Sequence, residues 1–441
     1  MSGEDQGSDG SSHRSAFERD FDRIIFSHPF RRLQDKTQVF PLPEQDFVHT
    51  RLTHSLEVSS VGRSLGKKVG EVVIQRYQNL QDQDYTQYDF GAIVSAACLC
   101  HDLGNPPFGH TGEDALSEYF KSNPAGRFFQ TKVTPHQWED LISFEGNAQG
   151  YRLLTGVDHL GLKLSDQTLA AFTKYPRQSL LQASEAGRKS QKKYGYFESE
   201  QQNFAQLAQR LGLQTLTDHQ AWCRHPLAFL VEAADDICYH IIDLEDGCRL
   251  GLVGEDETTE LLAQILGDRY QPQKLQALPG SEQRIGLLRA LTIGVLIDQC
   301  AQVFLDHESE IIAGNFDQAL TDLAPSSNVL DEIISLSLNR LYRSSMVLEI
   351  EAAGYEVLGG LLDSFAHAAY RVVFEGPTSK KDQTLFRLLP VTVQQYLKKD
   401  HVSVYQMLRV ILDFISGITD KHAISLFRKL RGISLPGSAA K

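Results

Sequence analysis

The residues best suited to chemistry lie in three short stretches. The densest is HDLGNPPFGHTGE (101–113), which places His101, Asp102, His110 and Glu113 around two prolines, just after the apolar run GAIVSAACLC. A second, VHTRLTHSLEVSSVGRSLG, sets His54 beside Leu52, Leu56, Val58 and Val61. In the third, FLVEAADDICYHIIDLEDG, Glu232, Asp235, Tyr239, Asp243 and Asp246 follow threes and fours beside Phe229, Leu230, Ile237, Ile241 and Ile242. Each stretch alone has an ordinary explanation. His101 could cap helix carbonyls, His54 could be a satisfied core residue, and the carboxylates could form a solvated face. A carboxylate stripe beside a buried face is costly unless it meets a cation. Taken together, His54, His101, Asp102 and Asp235 offer two imidazoles and two carboxylates. That set suits Mn²⁺, Mg²⁺ or Fe²⁺ better than a structural thiolate zinc site, and it leaves positions for water and a phosphate oxygen.

Helical periodicity dominates the elements that must carry these groups. Apolar residues recur at threes and fours in 54–80, 92–101, 112–121, 226–246, 258–267, 284–305, 308–323, 329–350, 355–374 and 401–430. GAIVSAACLC reads as a buried helix ending near His101, stopped by Gly104 and Pro106–Pro107. Strand patterns are scarce, and KVTPHQ and KYGYFES are the best candidates for a short hairpin. Breaks are expected at 180–200, 268–283 and 375–383, with a flexible basic insertion near 185–195. The expectation is an all-α protein. Residues 1–16 form a disordered start, 17–250 a core with an insertion near 180–200, and 251–441 a helical region packing on the core and completing the site.

Composition bounds the partners. The 441 residues carry 43 Lys plus Arg against 56 Asp plus Glu, a net charge of −13. That excludes a surface given over to nucleic acid and leaves room for a local basic pocket. The six cysteines, at 98, 100, 223, 238, 248 and 300, form no C-x-x-C pair and read as reduced thiols of a cytoplasmic protein. No signal peptide and no 18-residue apolar span is read, so no membrane partner is expected.

Longer strings carry a resemblance. RIIFSHPFRRLQDKTQVF (23–40), TRLTHSLEVSSVGR (50–63), HDLGNPPFGHTGE (101–113), FEGNAQGYRLL (144–154), EAADDICYHIIDLEDG (232–247) and DFISGITD (413–420) run in order along nearly the whole chain. They resemble the HD-domain metal-dependent phosphohydrolases, and within them the deoxyguanosine triphosphate triphosphohydrolases. The match is weakest over 255–400. Asn105 follows the bacterial form of the motif.

The resemblance implies the HD-domain helical fold. It also implies hydrolysis of a deoxynucleoside triphosphate to deoxynucleoside and tripolyphosphate by water attack at the α-phosphorus, with a divalent metal on His54, His101, Asp102 and Asp235. It assigns catalysis to His110 and Glu113. Gln34 falls to sugar and base; Asn147, Lys174, Tyr175 and Lys193 to phosphates; Tyr239 and Asp243 to the deoxyribose. Thr111 to Asp114 look like a capping box, which would set Glu113 in a first helical turn with His110 just before it. Arg31, Arg32 and Arg51 either support the pocket or form structural ion pairs. A homo-oligomer, most simply a hexamer, is implied, with single-stranded DNA or a nucleotide as candidate effector. Two other readings stand beside this one: an HD phosphohydrolase of nucleoside monophosphates or cyclic nucleotides, and a non-catalytic nucleotide- or single-strand-binding regulator.

Overall fold

The computed structural model describes residues 14–38, 49–156, 161–180, 188–217, 220–343 and 345–434. The notion of a disordered start falls largely on 1–13, outside the described residues. The described chain is all-α apart from one small hairpin. The helices that build and support the site are α1 (Arg51–Arg76), α2 (Gln87–Cys100), α3 (Gly109–Ser122), α4 (Gly146–Thr155), α5 (Pro226–Arg249), α6 (Ser281–Asp306), α7 (Ser345–Tyr370), α8 (Val404–Gly417) and α9 (Asp420–Leu430).

Local chemistry sets several of their ends. Thr50 caps α1, with its hydroxyl accepting from Thr53 N at 3.4 Å and its own N–H donating to Thr53 Oγ1 at 3.0 Å. Pro226 opens α5, where His225 Nδ1 accepts from Leu227 N at 3.2 Å. Within α1, Gly62, Gly66 and Gly70 face α2 at helical spacing. A Cβ on Gly62 would lie 2.5 Å from Cys98 Sγ, and one on Gly66 2.6 Å from the Phe90 carbonyl oxygen. The missing side chains let the two helices approach closely, which brings His54 on α1 near His101 at the end of α2.

Two large apolar clusters, beside a small one of Ala148, Tyr194 and Phe197, form the interior of the described residues. The first gathers α1, α2, α5 and α6 through residues such as Val58, Leu65, Cys98, Ile237 and Leu296. The second gathers α3, α7 and α8 through Leu116, Phe120, Leu361, Phe365, Leu408 and Ile411. Residues 262–341 pack in the first cluster, and residues 108–144 pack with the C-terminal helices in the second.

Several sequence expectations change. The hairpin is β1 (Thr215–Thr217) with β2 (Ala221–Trp222), antiparallel with Thr215 opposite Trp222. KVTPHQ instead ends a 3-10 turn and supplies Thr134, the cap of the Pro135–Ile142 helix, whose hydroxyl takes Gln137 N. KYGYFES is coil leading into a 3-10 turn, with Gly195 N donating to the Arg177 carbonyl. The supposed flexible stretch near 185–195 is packed from residue 188 on, with Ser190, Gln191 and Tyr194 buried; residues 181–187 lie outside the described set. The pattern at 308–323 holds only the short helix Glu308–Ile312 and a 3-10 turn. The one at 329–350 breaks into Ser327–Leu336, a π-helical turn at 337–341 and the start of α7. That at 401–430 divides at Ile418–Thr419, where an extended residue and a threonine cap restart the helix as α9. Among the described residues one helix, α6, is long and apolar enough by length and composition to cross a bilayer, contrary to the sequence reading. It packs against α1 and α5, and its Ile285, Leu288, Leu296 and Cys300 lie in the core.

Candidate functional site

A cavity of about 500 Å³ opens at the seam between the two clusters. His54, His101, Asp102, Asn147, Lys174, Tyr175, Lys193, Asp235, Tyr239 and His110 all line it. Helices α1 and α5 and the turn that follows α2 bring His54, Asp235 and His101 into one cluster, with Asp102 beside His101. His54 Nε2 lies 3.3 Å from Asp235 Oδ1, and His101 Nε2 lies 3.4 Å from that oxygen and 3.5 Å from Asp102 Oδ2. Atoms that bind one ion at about 2.0–2.2 Å must lie roughly 3–3.5 Å apart at neighbouring corners, so this spacing fits a shared cation.

The donors are also prepared for one. His101 Nδ1 hydrogen-bonds the Cys98 carbonyl oxygen at 2.7 Å, which leaves Nε2 with its lone pair toward the cavity. Asp102 Oδ1 accepts from Arg51 Nη1 at 2.7 Å and from Asn105 Nδ2 at 2.5 Å. His101 Nε2 and Asp102 Oδ2 are buried and have no hydrogen-bond partner. Orphaned buried polar atoms are costly, and a divalent ion is the partner their chemistry lacks. Burial raises the Asp102 carboxyl, yet Arg51 and the neighbouring imidazoles outweigh it and hold it near 2. Burial also pushes the Asp235 carboxyl up, but Lys174 beside it and the two histidines drive it well below the usual range. Both carboxylates therefore stay charged.

The partners of the acidic stripe on α5 explain why it is tolerated. Glu232 accepts from Arg224 Nη1 at 2.6 Å, Asp243 from Tyr342 Oη at 2.6 Å, and Asp246 is 2.8 Å from His49 Nδ1. Burial disfavours the His49 cation, but Asp246 and Glu57 overcome this and raise it to about 10. Only Asp235 among these carboxylates shares the ligand cluster.

Across the cavity, His110 Nδ1 lies 2.7 Å from Glu113 Oε2, and Glu113 Oε1 accepts from Gly146 N at 2.6 Å. The His110 side chain is 76% exposed while that of Glu113 is 9% exposed. An accessible imidazole is thus steered by a buried carboxylate, the arrangement of a positioned proton carrier. Burial raises the Glu113 carboxyl, but the His110 bond and Lys193 prevail and lower it. The expected capping box is not how this helix begins. Helix α3 starts at Gly109 and its cap is Phe108 in a left-handed conformation, φ 65°. Thr111 and Asp114 lie inside the helix, and His110 is its second residue.

The cations sit on the same cavity. Lys174 Nζ donates to Asp235 Oδ2 at 2.5 Å. Lys193 Nζ lies 3.4 Å from Glu145 Oε1, which also accepts from Asn147 Nδ2 at 2.7 Å. Tyr239 stacks on Tyr342 with ring centres 5.8 Å apart and planes at 22°. Asp243 does not line the cavity; it lies buried beneath and holds the Tyr342 hydroxyl. Burial lifts the Asp243 carboxyl to about 7 against the pull of that hydroxyl. Gln34 is exposed on the 3-10 turn Leu33–Asp35 and does not line the cavity either. Of the undecided arginines, Arg51 supports the ligand set, Arg32 bonds the Gly417 carbonyl at 2.9 Å, and Arg31 is exposed.

Sequence reasoning missed Tyr342, Glu145 and Thr37. Tyr342 sits in the weakly matched 255–400 stretch and carries no pattern that marks it. Glu145 stands inside FEGNAQG, where only its neighbour Asn147 drew notice.

Comparison with known proteins agrees with this geometry. The chain matches the HD domain over residues 51–135 and the phosphohydrolase-associated domain over 327–429. It is 43% identical over 438 residues to a deoxyguanosinetriphosphate triphosphohydrolase-like protein of Synechocystis sp., covering 96% of this chain and 95% of the relative. A relative of the same description from Pseudomonas aeruginosa is 37% identical over 96% of this chain and 95% of its own. The deoxyguanosinetriphosphate triphosphohydrolase of Salmonella arizonae is 31% identical over 95% of this chain and 94% of its own.

Proposed function

The chain belongs to the deoxyguanosinetriphosphate triphosphohydrolase family of HD-domain proteins, and from that premise we propose that it hydrolyses deoxynucleoside triphosphates, dGTP or dNTPs generally, to deoxynucleoside and tripolyphosphate. One observation carries the reading. A single cavity combines a cation-ready ligand cluster with orphaned donor atoms, a histidine held by the carboxylate of Glu113 behind it, and two lysines.

His54, His101, Asp102 and Asp235 would hold Mn²⁺ or Mg²⁺, with Fe²⁺ also suited to the donor set. A divalent ion there supplies Lewis acidity toward a phosphoryl oxygen and lowers the pKa of water. A triphosphate brings about four negative charges, and Lys174, Lys193 and the Asn147 amide are the groups placed to meet its oxygens. The 3.4 Å contact of Lys193 with Glu145 is long for a charged pair, so exchange for a phosphate oxygen costs little. Tyr175 closes the wall beside them.

Glu113 accepts the Nδ1 proton of His110, which leaves Nε2 free to face the cavity. That nitrogen takes a proton from the attacking water or returns one to the departing O5′. The stacked Tyr239 and Tyr342 rings form a flat wall that suits a sugar lacking the 2′-hydroxyl. Asp243 fixes Tyr342 and lies one hydroxyl away from that wall. Gln34 is assigned to sugar and base by its place in FRRLQDKTQVF alone.

We further assign a homo-oligomer, a hexamer. Leu338, which lines the cavity, and Leu348 and Tyr355 on α7 are exposed and offer apolar surface for it. Five of the six cysteines are buried small apolar residues of the core, which fits a reducing compartment such as the cytoplasm. The test is a panel of four dNTPs and four NTPs with Mn²⁺ or Mg²⁺ and products identified by mass. Turnover of dNTPs to nucleoside and tripolyphosphate is expected. Turnover of monophosphates or cyclic nucleotides alone, or binding with no turnover in either metal, would overturn the proposal.

A further inference from the structure

The DFISGITD segment has no part in the chemistry so far, yet its last residue is one of the most buried carboxylates in the chain. Asp420 is 1% exposed at the first turn of α9. Its Oδ1 accepts from Phe108 N at 3.1 Å. Its Oδ2 accepts from Thr37 N at 3.0 Å and from the Thr37 hydroxyl. Both partners line the cavity, and Asp420 does not.

What Asp420 holds is unusual backbone. Phe108 has φ 65° and ψ 17°, and Gly109 follows at φ 60°. An aromatic residue pays sterically for the left-handed region, and no side chain caps the helix that starts there. The Phe108 ring is pinned as well: a Cβ on Gly354 of α7 would meet it at 3.2 Å. Two residues beyond Phe108 stands His110. The direction of that imidazole therefore depends on the turn that Asp420 and Gly354 fix. On the other side, Thr37 pairs with Thr50, the cap of α1, and Lys36 Nζ donates to the carbonyls of Asn105 at 2.5 Å and Ser416 at 2.8 Å. The C-terminal segment thus clasps the starts of two helices, one bearing His54 and one bearing the dyad.

We infer that Asp420 is a positioning residue for His110, acting through the left-handed turn at Phe108. The inference rests on the proposed reaction for its effect on rate, and on geometry alone for its effect on the turn. Metal ligands are held by their own contacts: the Thr50–Thr53 cap, the close α1–α2 packing and Arg51. The clasp should therefore govern rate rather than binding.

The experiment compares full-length wild type, Asp420→Asn, Asp420→Ala, and Asp420→Ala combined with Phe108→Gly. Amide hydrogen exchange over 104–114 reports the turn without substrate, and steady-state kinetics with saturating Mn²⁺ report its consequence. Asp420→Ala should speed exchange in 104–114 and leave α1 and α5 protected. It should lower kcat by about 10- to 100-fold, the scale of a misplaced catalytic group, with KM and Mn²⁺ affinity within about threefold. Asp420→Asn keeps one acceptor and should fall between. Phe108→Gly relieves the backbone strain but removes the ring held against Gly354, so the double variant should stay at or below the kcat of Asp420→Ala. Unchanged exchange in Asp420→Ala, or faster exchange with normal kcat, overturns the inference. So does a loss of kcat, KM, metal and thermal stability together in both single variants, which would mark a purely structural role. Absence of dNTP turnover by the wild type overturns the proposed reaction instead, and the exchange result still decides the clasp.

Discussion

Replacing Glu113 by glutamine keeps the volume of a side chain that is 9% exposed and removes only charge and one acceptor. The consequence follows from its two bonds. Oε1 faces the fixed Gly146 N–H at 2.6 Å, so the amide oxygen of the variant must turn there to avoid stranding a buried donor. Its NH₂ then faces His110 Nδ1, 2.7 Å away in the wild type. Two donors cannot meet, so the imidazole moves its proton to Nε2 and presents N–H to the cavity. The base is lost while the fold is kept. Loss of a positioned acid/base group costs roughly 10²- to 10⁴-fold in kcat, about 3–5 kcal/mol of barrier. The stability cost is smaller, on the order of 1–2 kcal/mol, because the His110 end of the bond is open to solvent. His110→Ala and the double variant should lose about as much rate as Glu113→Gln, since the two side chains act as one unit. Metal content should be unchanged in all three. Steady-state kinetics at saturating metal, with urea unfolding alongside, make the comparison. The Glu113 carboxyl is lowered in the fold, so its stabilisation is present above the ordinary value of 4.5 and is lost as pH falls through the folded value. The stability gap between wild type and Glu113→Gln should therefore close in acid. A glutamine variant with kcat within threefold of wild type would refute the dyad.

Other expectations concern the metal, the packing and acid stability. Asp235→Ala should lose bound metal by elemental analysis and lose activity, because three donors hold an open site poorly; full occupancy would remove Asp235 from the ligand set. Gly62→Ala sets a methyl 2.5 Å from Cys98 Sγ, and spreading α1 from α2 should cost about 1–3 kcal/mol in urea unfolding and weaken metal affinity; unaltered stability would contradict the close approach. His225 is pushed down to about 4 by burial, so the unfolded chain binds a proton between about 6.5 and 4 that the folded chain refuses. Stability should fall by about 3 kcal/mol as pH drops through that window, and His225→Asn, which can still cap α5, should flatten the slope.

Much of the architecture was legible because burial imposes helical period. The apolar recurrences at 226–246 and 284–305 are the inner faces of α5 and α6. Where length misled, local backbone chemistry intervened: at 418–419 a threonine cap interrupts an unbroken apolar pattern. The helix after His101 shows the same limit. Thr111 to Asp114 satisfy the sequence rule for a cap, but contacts from Asp420 and Gly354, hundreds of residues away, stabilise an earlier start at Phe108. His54, His101, Asp102 and Asp235 stand out by type, and only the glycine face of α1 shows why they meet. Tyr342 was invisible because a tyrosine in an apolar stretch reads as core until its hydroxyl is seen on Asp243. Gln34 and Asp243 show the converse, residues singled out by motif that this structure sets outside the cavity wall.

The central claim is that water attacks the α-phosphorus and the O5′–P bond breaks. Hydrolysis of dGTP in ¹⁸O-labelled water, with products read by mass and phosphorus resonance, tests it most directly. The label should appear in tripolyphosphate and not in the deoxynucleoside, with no dGMP or dGDP formed on the way. Label in the nucleoside, or pyrophosphate with dGMP as first products, would contradict the account.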